Sequence, residues 1–258
     1  MSCAAMPMPA SPRINRERLI ERLATFNRIG ALPGGGNCRL ALSDEDRGGR
    51  DLLVRWMGEL GLAVTVDAIG NIIGVRPGRE EIAPVMFGSH VDTVGTGGRY
   101  DGLYGVLAGL EICEALGDAA TTTRRPLALV AFTNEEGSRF APYAMGSLVY
   151  VGGLSLEDAY AVRGIDGKTV GEELRRIGYA GSAKPGWLKP HAYLELHIEQ
   201  GRSSRRKARS SARWKALPGS SGPRSRSPAA RPTPAPRRCI CGATPPMSPP
   251  RSPCSCAA

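Results

Sequence analysis

The chain has 258 residues, 41% of them apolar, which is enough for one large domain or two modest ones with a buried core. No apolar run approaches the roughly 18 residues of a membrane helix and the start lacks the apolar stretch of a secretory signal, so we exclude an integral membrane protein and expect a cytoplasmic one. The net charge of +10 is typical of a nucleic-acid-binding protein. This charge is confined to residues 202–258, which carry +13. Residues 1–201 hold 21 basic and 24 acidic residues and so carry −3.

The first 201 residues alternate between helical and strand periodicity. Gly30 and Gly61 are placed to end two helices, and Ser43 with Asp46 is typical of a capping box. Continuous apolar strands separated by helices predict an α/β fold: the N-terminal part of a mostly parallel sheet with helices on both faces. In chain order we predict a helix over 14–29, a helix from Ser43 to Gly61, strands over 62–67, 71–76 and 84–87, a helix over 103–116, a strand over 126–132, a helix over 169–177 and a strand over 192–198.

Polar residues follow three of these strands. In open α/β sheets ligands bind beyond the carboxyl ends of the strands, so side chains that follow different strands are expected to meet there. Two of the three histidines of the chain stand at such ends. The residues concerned are His90, Asp92, Asp101, Glu135, Glu136 and His197.

This mixture of side chains suits metal-dependent hydrolysis. Imidazole and carboxylate are good ligands for Zn, Mn, Co or Ni, and a carboxylate can bridge two ions that activate water and polarise a carbonyl. Because Glu135 and Glu136 are adjacent, they point in different directions, so that one can bind metal while the other acts as general base. Asp92 is placed to accept the second N–H of His90 and fix its tautomer.

Each of these residues also has a structural alternative. His90 alone is often a buried structural histidine, Asp101 is well placed as the N-cap of the following helix, and a Glu-Glu pair is often a solvated turn. His191, at the entry of the last strand, is assigned a structural role. Only the combination at the ends of separate strands favours a metal site.

The order and spacing of four segments, residues 88–93, 100–102, 133–137 and 195–201, resemble the amidase branch of the M20 metallopeptidase superfamily. This hydantoinase/carbamoylase group includes N-carbamoyl-L-amino acid hydrolase, allantoate amidohydrolase and β-ureidopropionase. The resemblance covers about residues 14–201. The segments His-Ile-Glu-Gln-Gly and Asn-Glu-Glu-Gly-Ser-Arg-Phe favour this branch over its peptidase relatives.

The resemblance implies a hydrolase of linear amide bonds, first of all an N-carbamoyl-L-amino acid hydrolase, with allantoate amidohydrolase or β-ureidopropionase as alternatives. It also implies two divalent ions, zinc or else Mn, Co or Ni, a small N-carbamoyl or ureido substrate, and a homodimer. The roles that it implies are His90 and His197 as ligands of one metal, Asp101 as the bridging carboxylate, Glu136 as a ligand of the second metal, Glu135 as the general base, Asp92 as the residue that orients a ligand, and Gln200 as a contact of the ureido group.

The resemblance ends after Gly201. In the family a dimerisation domain follows, and the chain then returns to the catalytic sheet with another histidine ligand, whereas no histidine follows Gln200 here. We therefore interpret residues 1–13 as a disordered start, residues 14–201 as a partial catalytic domain and residues 202–258 as a tail without the dimerisation domain. We expect the chain as it stands to be inactive.

The tail has the composition of a segment that does not fold. It contains 11 Pro and 11 Ser with few large aliphatic residues, so it cannot bury enough apolar area to offset its ordering entropy. Its abrupt start favours a frameshift in a GC-rich gene. As a frameshift product the tail is expected to bind nucleic acid at most weakly and without sequence specificity. The alternative, from a different functional class, is a non-catalytic protein that binds nucleic acid through this basic arm.

Overall fold

A computed structural model of the chain describes residues 11–199 and the two-residue strand Leu217–Pro218. The remainder of the tail lies outside the described residues, so the frameshift and the nucleic-acid arm both stay predictions. The elements in chain order are α1 (Arg16–Phe26), α2 (Asp44–Glu59), β1 (Ala63–Val66), β2 (Ile72–Arg76), β3 (Val85–His90), α3 (Leu103–Asp118), β4 (Leu127–Phe132), α4 (Met145–Tyr150), α5 (Leu156–Ala161), α6 (Val170–Arg176), β5 (Ala192–Leu194) and β6 (Leu217–Pro218).

The strands form one sheet in the order β1-β2-β4-β3-β5-β6. Strands β4, β3 and β5 pair in parallel, β2 pairs antiparallel with both β1 and β4, and β6 pairs antiparallel with β5. As a result β1, β3, β4 and β5 all point the same way. The predicted α/β class with a mostly parallel sheet is confirmed, and the carboxyl ends of β3, β4 and β5 lie together at one edge.

The sheet is buried on both faces. Alternate side chains of β3 and β4, such as Phe87 and Leu129, pack with helices α1, α2 and α3 in the larger core. On the opposite face Met86 and Val130 pack with Tyr150 of α4. No helix in the described part of the chain is long and apolar enough to cross a membrane.

Most predicted elements are present with small shifts of their ends. The segment over 192–198 differs most, because only Ala192–Leu194 pairs as a strand and the chain then leaves the ladder. Helices α4 and α5 were not predicted, since six residues carry too little periodicity to be recognised.

The capping box predicted for α2 is only half formed. The Ser43 side chain accepts the Asp46 N–H, but the Asp46 carboxylate accepts the N–H of Leu42, one residue before the cap. A reciprocal capping box occurs instead at α6, between Thr169 and Glu172.

The larger core predicts where truncation destabilises the fold. Leu53 of α2 is fully buried, so Leu53→Ala should lower the free energy of unfolding by about 2–5 kcal/mol through lost burial and a cavity. Ile20 of α1 is 52% exposed, and Ile20→Ala should change it by less than about 0.5 kcal/mol. Urea unfolding followed by circular dichroism measures both. Equal losses in the two variants would contradict this description of the core.

Candidate metal centre

Three side chains meet at the carboxyl edge of the sheet. His90 is the last residue of β3, Asp101 lies in the turn before α3, and His197 follows β5. One ligand atom from each lies within 4.8 Å of the other two, and Asp101 Oδ1 is 3.1 Å from His197 Nε2. The two imidazole rings have centroids 6.1 Å apart. Residues that are distant in the sequence thus form a cluster with the donors of a metal site.

His90 is held from one side, so that its other nitrogen faces the cluster. Its ring is buried, and Nδ1 is 3.0 Å from the main-chain oxygen of Asp92. The Asp92 carboxylate is farther from Nδ1, at 3.9 Å. The contact that orients the ring therefore comes from the Asp92 carbonyl and not, as the sequence suggested, from its carboxylate. A carbonyl acceptor at Nδ1 leaves Nε2 as the nitrogen available to a metal.

The Asp92 carboxylate joins two loops instead. It is buried, and its two oxygens accept the main-chain N–H groups of Glu135 and Glu136, each at 3.2 Å. Asp92 follows β3 and the two glutamates follow β4, so this pair of hydrogen bonds holds the ends of neighbouring strands together.

The turn that carries the glutamates depends on Asn134. Its φ of 51° lies in the left-handed region, which asparagine tolerates better than most residues. Its side-chain amide donates to the main-chain oxygens of Phe140 and Pro142, which ties the turn to the following loop. Glu135 is 38% exposed with Oε2 3.5 Å from His90 Nε2, so its carboxylate lies beside the cluster.

Negative charge is concentrated at this edge of the sheet. Burial raises the pKa of Glu136, and the nearby Asp101 and Asp92 raise it further against the opposing effect of His90. Burial lowers the pKa of His90, but Asp92 and Glu135 outweigh it, so the net direction is upward. The upward direction for His90 reflects the carboxylates around it, and for Glu136 the same carboxylates add to a larger effect of burial.

The residues present fit a metal. His90, Asp101 and His197 offer two imidazole nitrogens and a carboxylate oxygen, the donors that zinc prefers, within 4.8 Å of one another. Oε1 of Glu136 is buried with no hydrogen-bond partner among the described residues, an arrangement that costs free energy unless the oxygen binds something. Glu136 also interacts electrostatically with His90 and Asp101, so its unpartnered oxygen is a candidate donor for a second ion.

The structure also bears on the non-catalytic roles that the sequence allowed for Asp101 and His191. Helix α3 has Gly102 as its N-cap and no side-chain cap hydrogen bond, so Asp101 is not the N-cap of this helix. His191 is exposed and lies outside the cluster, and its main-chain N–H donates to the oxygen of Pro84, so the structural role of its side chain stays a prediction. Gln200, predicted to contact the substrate, lies outside the described residues, so that its role stays a prediction.

The sequence model of peptidase family M20/M25/M40 matches residues 86–221, more than half of the chain and all the residues of the cluster. The chain belongs to the M20 family. The N-carbamoyl-L-amino-acid amidohydrolase of Rhizobium meliloti is 45% identical over 190 residues, 73% of this chain and 46% of the relative. The ureidoglycolate hydrolase of Arabidopsis thaliana is 35% identical over 192 residues, 70% of this chain and 40% of the relative.

Solved structures place this M20 chain in the hydantoinase/carbamoylase branch. An amidase of the hydantoinase/carbamoylase family from Burkholderia multivorans superposes with a TM-score of 0.75 at 50% identity, over 77% of this chain and 49% of that one. The resemblance to this branch is thereby confirmed. The chain spans about half the length of the curated relatives that it matches.

Sequence reasoning on the M20 chain missed how its ligands are held. The Asp92 bridge to the Glu135 and Glu136 amides has no local sequence signal, because it depends on two strands lying side by side. Asn134 gave a weak signal, as asparagine directly after an apolar strand favours a left-handed turn. The Asp-Gly pair at Asp101 and Gly102 gave another.

Gly102 lies directly under the His90 ring. A Cβ at this position would be 2.4 Å from three ring atoms of His90, and φ is 62°, so Gly102→Ala should displace the imidazole and lower zinc affinity at least tenfold. Gly98 in the same loop has nothing within 4 Å of such a Cβ, so Gly98→Ala is the matched control and should bind zinc like the wild type. Competition with a chromophoric chelator measures both affinities, and equal values in the two variants would refute the contact.

Proposed function

We propose that the M20 chain is the metal-binding half of an N-carbamoyl-L-amino acid hydrolase. One observation carries this proposal: the ligand atoms of His90, Asp101 and His197 lie within 4.8 Å of one another, in a chain 45% identical to a bacterial N-carbamoyl-L-amino-acid amidohydrolase. The donor set supports two divalent ions, zinc first and Mn, Co or Ni as alternatives. His90 and His197 would hold the first ion, Glu136 the second, and Asp101 both.

Two ions held in this way would activate a water molecule and polarise the carbamoyl carbonyl. We propose Glu135 as the general base, and its position supports this role, because its carboxylate Oε2 lies 3.5 Å from His90 Nε2 and is partly open to water. It takes a proton from the attacking water as the new C–O bond forms and delivers it to the leaving nitrogen as the C–N bond breaks. The carbamic acid formed when this first C–N bond breaks then loses CO₂, which breaks the second C–N bond, so that the overall change consumes one water and yields ammonia, CO₂ and the free amino acid.

The supporting residues act through geometry. The Asp92 carboxylate fixes the Glu135 and Glu136 main chain, and its carbonyl fixes the His90 ring. Gln200 is proposed to contact the ureido group of a small N-carbamoyl or ureido substrate. We further propose a homodimer for the full-length enzyme and action in the cytoplasm, in keeping with the free Cys38 and Cys113.

Ureidoglycolate is a second candidate substrate. The Arabidopsis relative favours it, because ureidoglycolate carries the same ureido group as an N-carbamoyl amino acid. Allantoate and β-ureidopropionate belong to the same chemical class, and the substrate assay separates all of them.

Residues 1–258 alone should release no measurable ammonia from any of these substrates. Among the described residues the second ion has only Asp101 and Glu136, fewer than the four or so donors of a firm site, and no histidine follows His197. A version that continues in the other reading frame after Gly201 should hydrolyse N-carbamoyl-L-amino acids with zinc or manganese. Ammonia release by the two proteins from N-carbamoyl-L-methionine, ureidoglycolate, allantoate, β-ureidopropionate and a dipeptide tests the proposal. Hydrolysis of the dipeptide alone, or family-like turnover by residues 1–258, would overturn it.

A further inference from the structure

The two histidines of the cluster lie beyond the end of the backbone ladder that joins their strands. Strands β3 and β5 pair over three residues, from Val85 opposite Ala192 to Phe87 opposite Leu194. His90 and His197 each come three residues later, and yet their ligand atoms lie within 4.8 Å of each other. Something other than backbone pairing has to hold the two chains together between the last pair and the histidines.

Glu195 spans this gap. Its Oε1 accepts a hydrogen bond of 2.5 Å from the Ser89 hydroxyl, and its Oε2 accepts one of 2.9 Å from the Tyr193 hydroxyl. Ser89 precedes His90 directly, and Glu195 lies two residues before His197. The Tyr193 hydroxyl also lies 3.2 Å from the main-chain oxygen of Gly88. The contact of Glu195 with Ser89 and that of Tyr193 with Gly88 therefore both link the β5 segment to the end of β3.

We infer that Glu195 is a positioning residue for the metal centre, and that through Ser89 and Tyr193 it sets the spacing of His90 and His197. This inference rests on the proposed metal site. Ser89 is 2% exposed, so its hydroxyl depends on this carboxylate as an acceptor in place of water. The carboxylate acts at the point where the next backbone pair of the ladder would have formed.

Two substitutions of Glu195 distinguish a positioning role from a role for its negative charge. In Glu195→Gln the amide oxygen can still accept from Ser89, and the amide N–H can donate to the Tyr193 oxygen while that hydroxyl donates to Gly88. The glutamine variant therefore keeps both links without the charge, whereas Glu195→Ala loses both. A residue that bound the ion or acted through its charge would fail in both variants.

The test is zinc affinity of residues 1–258, measured by competition with a chromophoric chelator. We expect Glu195→Ala to weaken binding about tenfold, the lower end of the range for residues that orient metal ligands, and Glu195→Gln to stay within about twofold of the wild type. Ser89→Ala should give part of the loss, and Ser89→Ala combined with Glu195→Ala should be no weaker than Glu195→Ala alone, because the two residues act through one contact. Glu59→Ala, an exposed change at the end of α2, is the control and should bind like the wild type.

Thermal unfolding of the zinc-free variants distinguishes positioning from a general loss of structure. Glu195→Gln keeps both links and should unfold at the wild-type temperature, whereas Glu195→Ala leaves the buried Ser89 hydroxyl without an acceptor and should unfold slightly lower, still in one cooperative transition. Wild-type affinity in Glu195→Ala, or an equal loss in Glu195→Gln, would overturn the inference and leave the metal site in place. If the His197→Ala variant bound zinc as tightly as the wild type, the metal site would be overturned, and this inference with it.

Discussion

His90→Ala should reduce the zinc affinity of the chain by more than about 100-fold. His90 is the buried donor of the three-residue cluster, and loss of a ligand is more costly than loss of a residue that merely orients one, which already costs about 10–100-fold. The matched control is His191→Ala, because His191 is an exposed histidine outside the cluster and its side chain should contribute nothing. Calorimetric titration with zinc measures both variants. Four cysteines of the tail, Cys239, Cys241, Cys254 and Cys256, could also bind zinc, but they are present in both variants, so the difference between the variants reports on the cluster.

An equal loss in the two histidine variants would mean that zinc binds elsewhere. Equal retention in both would mean that His90 is the buried structural histidine that the sequence also allowed.

Glu135→Gln should lower kcat by about 10²–10⁴ in the enzyme that continues in the other frame after Gly201, because glutamine cannot take the proton of the attacking water. Metal content should be unchanged, since the donors in the cluster are His90, Asp101 and His197, and Glu136 supplies the further oxygen. Ammonia release and elemental analysis on the same preparation separate the two effects. An active Glu135→Gln enzyme would remove Glu135 from its proposed role, and an inactive one without metal would make it a ligand.

The sequence predicted the parts of the fold that repeat a regular pattern. Strands β3 and β4 were recognisable because both faces of the sheet are covered, so the whole run from Leu127 to Phe132 is apolar. Helix α2 was recognisable from Ser43 and Gly61 at its ends. Helices α4 and α5 escaped, because each makes fewer than two turns and its packing comes from contacts distant in sequence.

The site was predictable to the level of residue identity but not of contacts. Strand ends in one sheet meet, so His90 and His197 could be expected to approach. The sequence could not show that the Asp92 carboxylate bonds to two main-chain amides while its carbonyl holds the His90 ring. Nor could it show where β5 leaves the ladder, because the alternation of apolar residues continues to Ile198 after pairing has stopped.

The most direct test of the metal centre is X-ray absorption at the zinc edge on residues 1–258 with one equivalent of zinc. Four cysteines lie in the tail, Cys239, Cys241, Cys254 and Cys256, and offer sulfur donors as the competing site. We predict two imidazole nitrogens with oxygen donors at about 2.0–2.2 Å, and one imidazole fewer in His197→Ala. A first shell of sulfur at about 2.3 Å, or imidazole scattering that does not change in His197→Ala, would contradict a metal centre built from His90, Asp101 and His197.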